Sequence, residues 1–378
     1  VGMNSSGFTE ADQVNIAENL QGQQNRRKRG LGFDNDVAPQ GESEGPKKVH
    51  HAENDSAVAS HYNSRKDTHR TLDTKSVVTQ MKNLHNWIKS VLISEHISQD
   101  ARVLDLAGGK GGDLIKWQRS KVKFLILTDI AKQSLEDAVA RHGGDGRRGA
   151  MDFPAFFCAG TFNKPGLIDA IDRVLPGFQV DFVSCQFAIH YSWESEETAR
   201  NCLEVVSSRL RPGGNFVCTT ADSNVLIKKL RQVEGSSFGN SVYTVDFKDT
   251  PKECKYDQPF GIKYWFTLAE SVTDCPEYLV HVPTMKRLAK DYGLTLTLQR
   301  NFHDFFTDYC RQGEYFESLK RMRVFDETGA ISQDEWEVAH LYTVLVFKRD
   351  DLPPCGGDAT WLPPLRHTLP RDVVEAQQ

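Results

Sequence analysis

The sequence predicts an α/β fold: a doubly wound, mostly parallel seven-stranded sheet with an insertion after the fifth strand. Two observations lead to this prediction. Strand-like apolar runs alternate with helix-like segments from residue 102 onward, and the first run ends in a loop with four glycines within five positions. Such alternation is typical of a parallel sheet with helices on both faces, and a glycine-rich loop after a strand is typical of a nucleotide-binding site.

The individual elements follow from apolar spacing and from the residues that interrupt it. A helix is predicted at 76–93, ahead of the sheet, because apolar residues recur there at helical spacing. Seven strands are predicted, at 102–106, 123–128, 155–159, 181–188, 215–220, 294–302 and 341–347. Helices are predicted between them, at 112–119, 131–141, 165–174, 196–210, 224–233 and 284–291, and residues 234–282 form an irregular insertion.

The two ends of the chain differ in composition from this folded domain, which is expected at 57–349. Residues 1–56 are poor in large apolar residues, which predicts a disordered tail. The basic cluster Arg26–Arg29 within it is either a nuclear localisation signal or a solvated charge run. Residues 350–378 contain two Pro-Pro pairs and predict a flexible tail.

Composition excludes several classes of protein. The 378-residue chain has a net charge of −5, which argues against a surface covered with nucleic-acid-binding charge but allows a local basic pocket. No apolar run approaches the length of a membrane span, and no secretory signal is expected. Cys158, Cys185 and Cys218 lie inside apolar runs, so they are expected to be reduced core residues rather than metal ligands.

The glycine loop has a spacing that narrows the choice of cofactor. Gly-x-Gly-x-x-Gly fails because Leu114 occupies the last position when the count starts at Gly109, and the phosphate-binding loop of nucleotide triphosphatases is also absent. What fits is acid-x-small-x-Gly-x-Gly, from Asp105 through Ala107 to Gly111. This spacing resembles the loop of S-adenosylmethionine-dependent methyltransferases of the doubly wound type.

Asp129 is the second cofactor candidate. It ends the second strand, about 20 residues beyond the loop, where an acid can bind both hydroxyls of a ribose. The alternative is that Asp129 only caps the helix that begins near Ala131.

Further segments in order along the chain identify a narrower family. They are 59–63 (ASHYN), 85–90 (HNWIKS), 109–113 (GKGGD), 184–187 (SCQF), 190–191 (HY), 238–240 (FGN), 243–245 (YTV) and 276–280 (PEYLV). Together they resemble the mRNA cap guanine-N7 methyltransferase family, over about residues 57–349. The resemblance implies a class I, Rossmann-like methyltransferase fold that moves a methyl group from S-adenosylmethionine to N7 of the cap guanosine, without a metal.

The resemblance also implies residue roles, partners and a location. The cofactor-binding residues would be Lys89, Ala107, Asp129, Gln186 and Tyr191. The cap-binding residues would be His85, Asn86, Lys110, Lys116, Arg141, His190, Glu277 and Tyr342. The substrate would be 5′-capped mRNA in the nucleus, and the partners other capping enzymes or the RNA polymerase II machinery.

Physical reasoning supports this division of roles. Lys110, Lys116 and Arg141 are expected near the carboxyl edge of the sheet, where cations could hold the cap triphosphate; the alternative for Lys116 and Arg141 is a solvated helix charge. Glu277, expected in a loop after Pro276, could accept hydrogen bonds from the guanine edge, or be a surface acid. Guanine N7 already carries a lone pair, so His190 and Tyr191 are expected to position the base, with no indispensable general acid or base.

Three positions depart from the family pattern. Ala107 stands where Gly is common, which is tolerable if φ stays negative, and His85 stands where Asn is common. Gly160 stands where an Asp contacts adenine, so adenine recognition must use backbone groups or neighbouring residues. Two alternatives therefore stay open: a methyltransferase of the same fold acting on another RNA or a protein, and a cap-binding module without enzymatic activity.

Overall fold

The computed structural model describes residues 76–144, 149–250, 258–350, 369–370 and 372–376. The tail predicted at 1–56, with its basic cluster Arg26–Arg29, lies outside these residues. So does most of the tail predicted at 350–378.

The main sheet has eight strands in the order β10-β11-β5-β4-β1-β2-β3-β12. In chain order they are β1 (Arg102–Leu106), β2 (Phe124–Asp129), β3 (Ala155–Ala159), β4 (Val180–Gln186), β5 (Leu210–Ala221), β10 (Leu294–Asn301), β11 (Tyr342–Arg349) and β12 (Val374–Glu375). All strands run in the same direction except β11, which is antiparallel to both of its neighbours, β5 and β10. The predicted fold class is thus confirmed, with β12 as an eighth strand.

Helices cover both faces of this sheet, and most of them were expected from the sequence. They are α1 (Thr79–His96), α2 (Leu114–Arg119), α3 (Lys132–Gly143), α4 (Gly166–Asp172), a 3-10 helix (Ile189–Glu194), α5 (Glu196–Arg209), α6 (Ser223–Leu230), α7 (Val282–Asp291), α8 (Phe302–Tyr309), α9 (Gly313–Arg321) and α10 (Gln333–His340). Helices α8 to α10 were not predicted. They fill the chain between β10 and β11.

Two apolar cores lie on opposite faces of the sheet, as expected for a sheet whose side chains alternate in direction. One contains Trp87 of α1 and Trp117 of α2, and the other contains Trp193 of the 3-10 helix; all three indoles are fully buried. Cys158, Cys185 and Cys218 are buried and unpaired, as predicted. Within the described ranges, no helix is both long and apolar enough to cross a membrane.

The insertion after β5 is not irregular, as the sequence suggested, but folds into a second sheet. Its four antiparallel strands are β6 (Ser237–Gly239), β7 (Tyr243–Asp246), β8 (Lys263–Leu268) and β9 (Val272–Tyr278), in that order. The strands are short, and Pro276 within β9 is a signal against a strand. It is tolerated because β9 is an edge strand, where a missing backbone donor breaks no ladder.

Candidate functional site

A cavity lies at the carboxyl ends of β1 to β4, where strand order reverses and open α/β sheets bind ligands. It encloses about 950 Å³, part of which is open to solvent. Its lining residues are Ala107, Gly109, Asp129, Ile130, Ser134, Gly160, Thr161, Phe162, Asn163, Gln186, Phe187, Ala188, Tyr191, Glu194, Pro276 and Tyr278. Four of the five predicted cofactor residues are among them.

Asp129 joins the glycine loop to the next helix. Its Oδ2 accepts a hydrogen bond from the Gly109 amide at 2.8 Å, and its Oδ1 accepts one from the Ala131 amide at 2.8 Å. Burial raises the pKa of Asp129, and these amides oppose that shift. The N-cap of α3 is Ala131, and no side chain caps the helix, so Asp129 holds the turn before α3 without being its cap, while it also lines the cavity.

The loop itself is left-handed at two positions that border the cavity. Gly109 has a φ of +53°, which glycine adopts without cost. Ala107 has a φ of +56°, so the condition under which alanine seemed harmless, a negative φ, is not met. A left-handed alanine costs about 1–2 kcal/mol relative to the right-handed region. The backbone at this turn is thus fixed by its surroundings rather than by the residue.

A buried charge cluster lies beneath the loop. Asp113 Oδ1 is 2.8 Å from Lys89 Nζ and 2.6 Å from Lys116 Nζ. Burial would raise the pKa of Asp113, but Lys116 and Lys89 together hold it well below its usual range. Nearby Asp105 accepts a hydrogen bond from Trp117 Nε1 at 3.1 Å, and its pKa is raised by burial and by the charge of Asp113.

This cluster changes the interpretation of both lysines. The Lys116 side chain is 9% exposed, so the alternative of a solvated helix charge is wrong. Its ammonium also donates to Asn86 Oδ1 at 3.3 Å, which places the predicted cap residue Asn86 beside it. Lys89 pairs with Asp113 at the end of the glycine loop and does not line the cavity.

The other two predicted phosphate-binding cations lie on a more open surface. Lys110 Nζ is 2.8 Å from Asp137 of α3, and its side chain is 23% exposed. Arg141 lies one helical turn after Asp137 and is half-buried. Lys110 can therefore exchange a partly solvated carboxylate for a ligand phosphate at lower cost than Lys116 can leave its buried partners.

Directly behind the cavity-lining residues Tyr191, Pro276 and Tyr278, three buried side chains contact one another; we call them the polar pocket. Glu277 lies in β9, not in a loop as expected, and it is buried rather than at the surface. Its Oε1 is 3.5 Å from His190 Nε2, and its Oε2 accepts a hydrogen bond from Tyr264 Oη at 2.5 Å. Burial lowers the pKa of His190 and outweighs the opposing effect of Glu277. His190 is thus held neutral beside a carboxylate.

Aromatic rings form the adjoining wall. His85 of α1 stacks on Phe187 with ring centroids 5.4 Å apart, and Tyr342 approaches both rings edge-on at 5.2 and 5.1 Å. Burial, and then the charge of Lys89, lower the pKa of His85 to about 3. Phe187 has a φ of +57°, an unusual conformation for a bulky residue. Such strain is common at binding sites.

Tyr191 and Gln186 line the cavity, and Tyr191 connects it to the polar pocket. The Tyr191 ring is 4.3 Å from that of His190, and the Tyr191 Oη is 3.6 Å from Cys275 Sγ. The side chain of Gln186 is held by Ser184 Oγ and Thr219 Oγ1, both at 3.1 Å. A ligand in the cavity would therefore meet the polar pocket at Tyr191.

The comparisons with known proteins settle which family this arrangement belongs to. Residues 46–350 match the family model described as the mRNA (guanine-N(7))-methyltransferase domain. The chain belongs to the mRNA cap guanine-N7 methyltransferase family. It is 42% identical to mRNA cap guanine-N(7) methyltransferase 1 of Oryza sativa subsp. japonica, over 79% of this chain and 82% of that protein. The Arabidopsis thaliana relative of the same name is 41% identical, over 77% and 80%.

A more distant relative agrees. The chain is 36% identical to the mRNA cap guanine-N(7) methyltransferase of Drosophila melanogaster, over 79% of this chain and 78% of that protein. The resemblance that the sequence motifs predicted is thereby confirmed.

The residues at the cavity fit S-adenosylmethionine, the methyl donor of this family. Asp129 would supply a carboxylate for a ribose diol, and the glycine at position 109 of the cavity lining would allow a close approach of the backbone. Within the described chain, no cluster of three or more His, Cys, Asp or Glu side chains is arranged to hold a metal ion.

Several lining residues were missed by the sequence reasoning. Phe187 and Tyr278 lie within the motifs 184–187 and 276–280 but were given no role. Phe162 and Glu194 carried no signal of their own, because only the folded chain brings them to the cavity.

Proposed function

We propose that this chain transfers the methyl group of S-adenosylmethionine to N7 of the terminal guanosine of the 5′ cap of mRNA. The observation that carries the proposal is the polar pocket of His190, Tyr264 and Glu277 behind the lining of the cofactor cavity, in a chain of the cap methyltransferase family. Neither alternative, another substrate or loss of enzymatic activity, accounts for both the intact cofactor cavity and this pocket.

In this proposal the chain works by holding two substrates in line. The cofactor supplies an electrophilic methyl group on its sulfonium. Asp129 binds the ribose, and Gln186 and Tyr191 face the methionine end of the cavity. Orientation of this kind can contribute about 7–11 kcal/mol toward the barrier. Since N7 needs no deprotonation, no side chain has to remove a proton from it.

In this proposal the side chains of the cap half recognise the guanine base and the triphosphate. The Glu277 carboxylate accepts hydrogen bonds from N1 and the exocyclic amine of guanine, while neutral His190 lies against the base without competing for that carboxylate as a cation. The aromatic wall of His85, Phe187 and Tyr342 offers stacking surface. Lys110 and Arg141 hold the triphosphate, and Lys116 with Asn86 contributes from the buried cluster.

The reaction is tested by incubating the protein with S-adenosylmethionine and RNA that ends in an unmethylated guanosine cap. With a methyl-labelled S-adenosylmethionine, nuclease digestion should release labelled N7-methylguanosine, and no labelled product should form when the cap is already methylated or when the RNA has a 5′ triphosphate. A folded protein that binds S-adenosylhomocysteine but forms no N7-methylguanosine would contradict the proposal.

The family also points to where the chain works. We propose that it acts in the nucleus, with other capping enzymes or the RNA polymerase II machinery, and that Arg26–Arg29 directs its import. A fluorescent fusion of the chain should concentrate in nuclei and lose that distribution when the four basic residues are replaced by alanine. Cytoplasmic fluorescence of the unaltered fusion would contradict the proposal.

A further inference from the structure

The family match ends at residue 350, and a segment beyond it pairs with β3, the strand that leads to Gly160 in the cavity lining. We call residues 369–370 and 372–376 the edge segment. Its strand β12 runs parallel to β3, with Val374 opposite Cys158 and Glu375 opposite Ala159. The Ala376 amide donates to the Ala159 carbonyl at 2.7 Å. This differs from the flexible tail that the two Pro-Pro pairs predicted.

Side chains as well as backbone hold the edge segment in place. Leu369 is buried, and Val374 and Ala376 pack against the same apolar core as β3 residues Phe156 and Cys158. Glu375 forms an ion pair with Lys132, at the start of α3. Without β12, β3 would be the edge of the sheet, with its outer backbone groups unpaired.

The chain enters the cavity lining directly after β3. Gly160, the next residue, lines the cavity, and its amide donates to the Asp129 carbonyl at 2.9 Å. A Cβ at position 160 would lie 2.8 Å from the Ala376 Cβ and 3.0 Å from Leu167 Cδ1. A side chain at position 160 and the docked edge segment therefore exclude each other, unless one of them moves.

We propose that the edge segment is a positioning element of the cofactor site. It fixes the loop at 160–163 from outside, in place of the acidic side chain that the family commonly carries at position 160. The proposal rests on S-adenosylmethionine occupying the cavity, and so on the proposed function. Because the docked segment and the bound cofactor favour the same loop conformation, each stabilises the other.

The loop also has a connection to the rest of the site. Asn163 Oδ1 accepts a hydrogen bond from Ser192 Oγ at 2.7 Å, and its Nδ2 donates to the Tyr191 carbonyl at 3.4 Å. Displacement of the loop therefore reaches the 3-10 helix through the Tyr191 carbonyl and the Ser192 hydroxyl. Cofactor affinity should respond first, and cap affinity little.

The first experiment removes the edge segment by ending the chain after His367. Titration calorimetry with S-adenosylhomocysteine should give a dissociation constant about tenfold higher than in the full chain, the size expected from losing roughly one to two net hydrogen bonds at the loop. The affinity for a cap dinucleotide should change less than about twofold. An unchanged S-adenosylhomocysteine affinity would overturn the proposal.

The second experiment introduces Gly160→Asp into both the full chain and the shortened chain. A general folding defect would lower the affinity in both, so it cannot imitate the opposite effects that the proposal predicts. In the full chain the new side chain collides with Ala376, and affinity for S-adenosylhomocysteine should fall. In the shortened chain only Leu167 Cδ1, the end of a flexible side chain, stays close, and the aspartate should raise the affinity relative to the shortened chain with Gly160. Effects of the same sign in both chains would contradict the proposal.

A third measurement follows the segment itself. Hydrogen exchange at the backbone amide of Ala376 should slow when S-adenosylhomocysteine is added to the full chain, and should not respond to cap dinucleotide. An exchange rate that does not change when S-adenosylhomocysteine is added would contradict the coupling between the edge segment and the cofactor site. A full chain that fails to bind the analogue at all would instead refute the cofactor assignment on which the proposal rests.

Discussion

The cofactor half and the cap half of this site are built by different means. The cofactor half uses backbone and one carboxylate at the ends of neighbouring parallel strands, and both oxygens of Asp129 already hold amides. The cap half uses side chains from α1, the 3-10 helix, β9 and β11, which span residues 85 to 342. The first half is local in sequence, whereas the second exists only in the folded chain.

The two halves also differ in how well their polar atoms are satisfied. Among the described residues, His85 Nε2 and both ring nitrogens of His190 are buried without a hydrogen-bond partner. Such groups cost free energy in the ligand-free chain. Thr128 Oγ1, directly before Asp129, is also without a hydrogen-bond partner, so the difference is one of degree: the unpaired atoms of the cap half lie on side chains proposed to contact its ligand. Variants in each half should therefore affect one ligand and spare the other.

Asp129→Ala is expected to give the largest effect. The two ribose hydroxyls lose a charged acceptor, which is worth about 1.5–3 kcal/mol per hydrogen bond, so affinity for S-adenosylhomocysteine should fall by roughly 100-fold or more. Titration calorimetry measures this change. Asp137→Ala, on the exposed part of α3, is the matched control and should leave that affinity unchanged; a similar loss in both variants would remove the special role of Asp129.

Glu277→Gln should weaken cap binding by about tenfold or more, since a charged hydrogen-bond acceptor becomes a neutral one. Fluorescence titration with cap dinucleotide checks this, and calorimetry should show S-adenosylhomocysteine affinity within about twofold of the unaltered chain. Tyr264→Phe keeps the carboxylate and should have a smaller effect. If Glu277→Gln weakened the binding of both ligands equally, the cofactor half and the cap half would not bind their ligands independently.

The buried histidine of the cap half should make stability depend on pH. His85 has a folded pKa of about 3, below its unfolded value, so its contribution is complete above the unfolded pKa of about 6.5 and is lost as pH falls toward 3. Each such histidine makes the free energy of unfolding change by up to about 1.4 kcal/mol per pH unit between these two pKa values.

Denaturant unfolding at several pH values between 7.5 and 5 measures this slope. His85→Asn, which installs the residue common in the family, should reduce the slope of the unfolding free energy against pH. His142→Asn, at a half-buried position, is the control and should leave more of that slope in place. A slope that does not change in His85→Asn would show that His85 is not held neutral in the folded chain.

Ala107→Gly should give the smallest effect, in the cofactor half. Glycine relieves the left-handed strain of about 1–2 kcal/mol but adds unfolded-state entropy of about 0.5–1 kcal/mol, so stability should rise by about 0.5–1 kcal/mol. Thermal or denaturant unfolding measures this. Ala188→Gly is the control, because Ala188 also lines the cavity but has a φ of −139°, and it should destabilise instead.

The contrast between the halves also explains what could be predicted from the sequence. Strands β1 and β3 were predicted residue for residue, because each is a short buried run bounded by clear interruptions. The second sheet was missed, because its strands are short and Pro276 lies inside one of them. Local patterning cannot show that a strand is at an edge, where a proline is allowed.

Burial was the main property that the sequence did not show at the site. The pairing of Lys116 with Asp113 had a local signal, since the two are three residues apart at the start of a helix. The second partner of that carboxylate, Lys89, arrives from α1 and could not be read from spacing. Likewise, the proximity of Ala376 to Gly160 joins positions that are 216 residues apart (376 − 160).

The central claim is that the chain positions N7 rather than exchanging a proton with it, and His190 offers the most direct test. Single-turnover methyl transfer should be measured from pH 5.5 to 9 for the unaltered chain and for His190→Gln, with both substrates saturating. We expect the variant to be slower by a constant factor, with the shape of its pH–rate profile preserved, because methyl transfer to N7 requires no proton transfer through His190. Loss of a clear ionisation from the profile, with substrate binding intact, would contradict the claim.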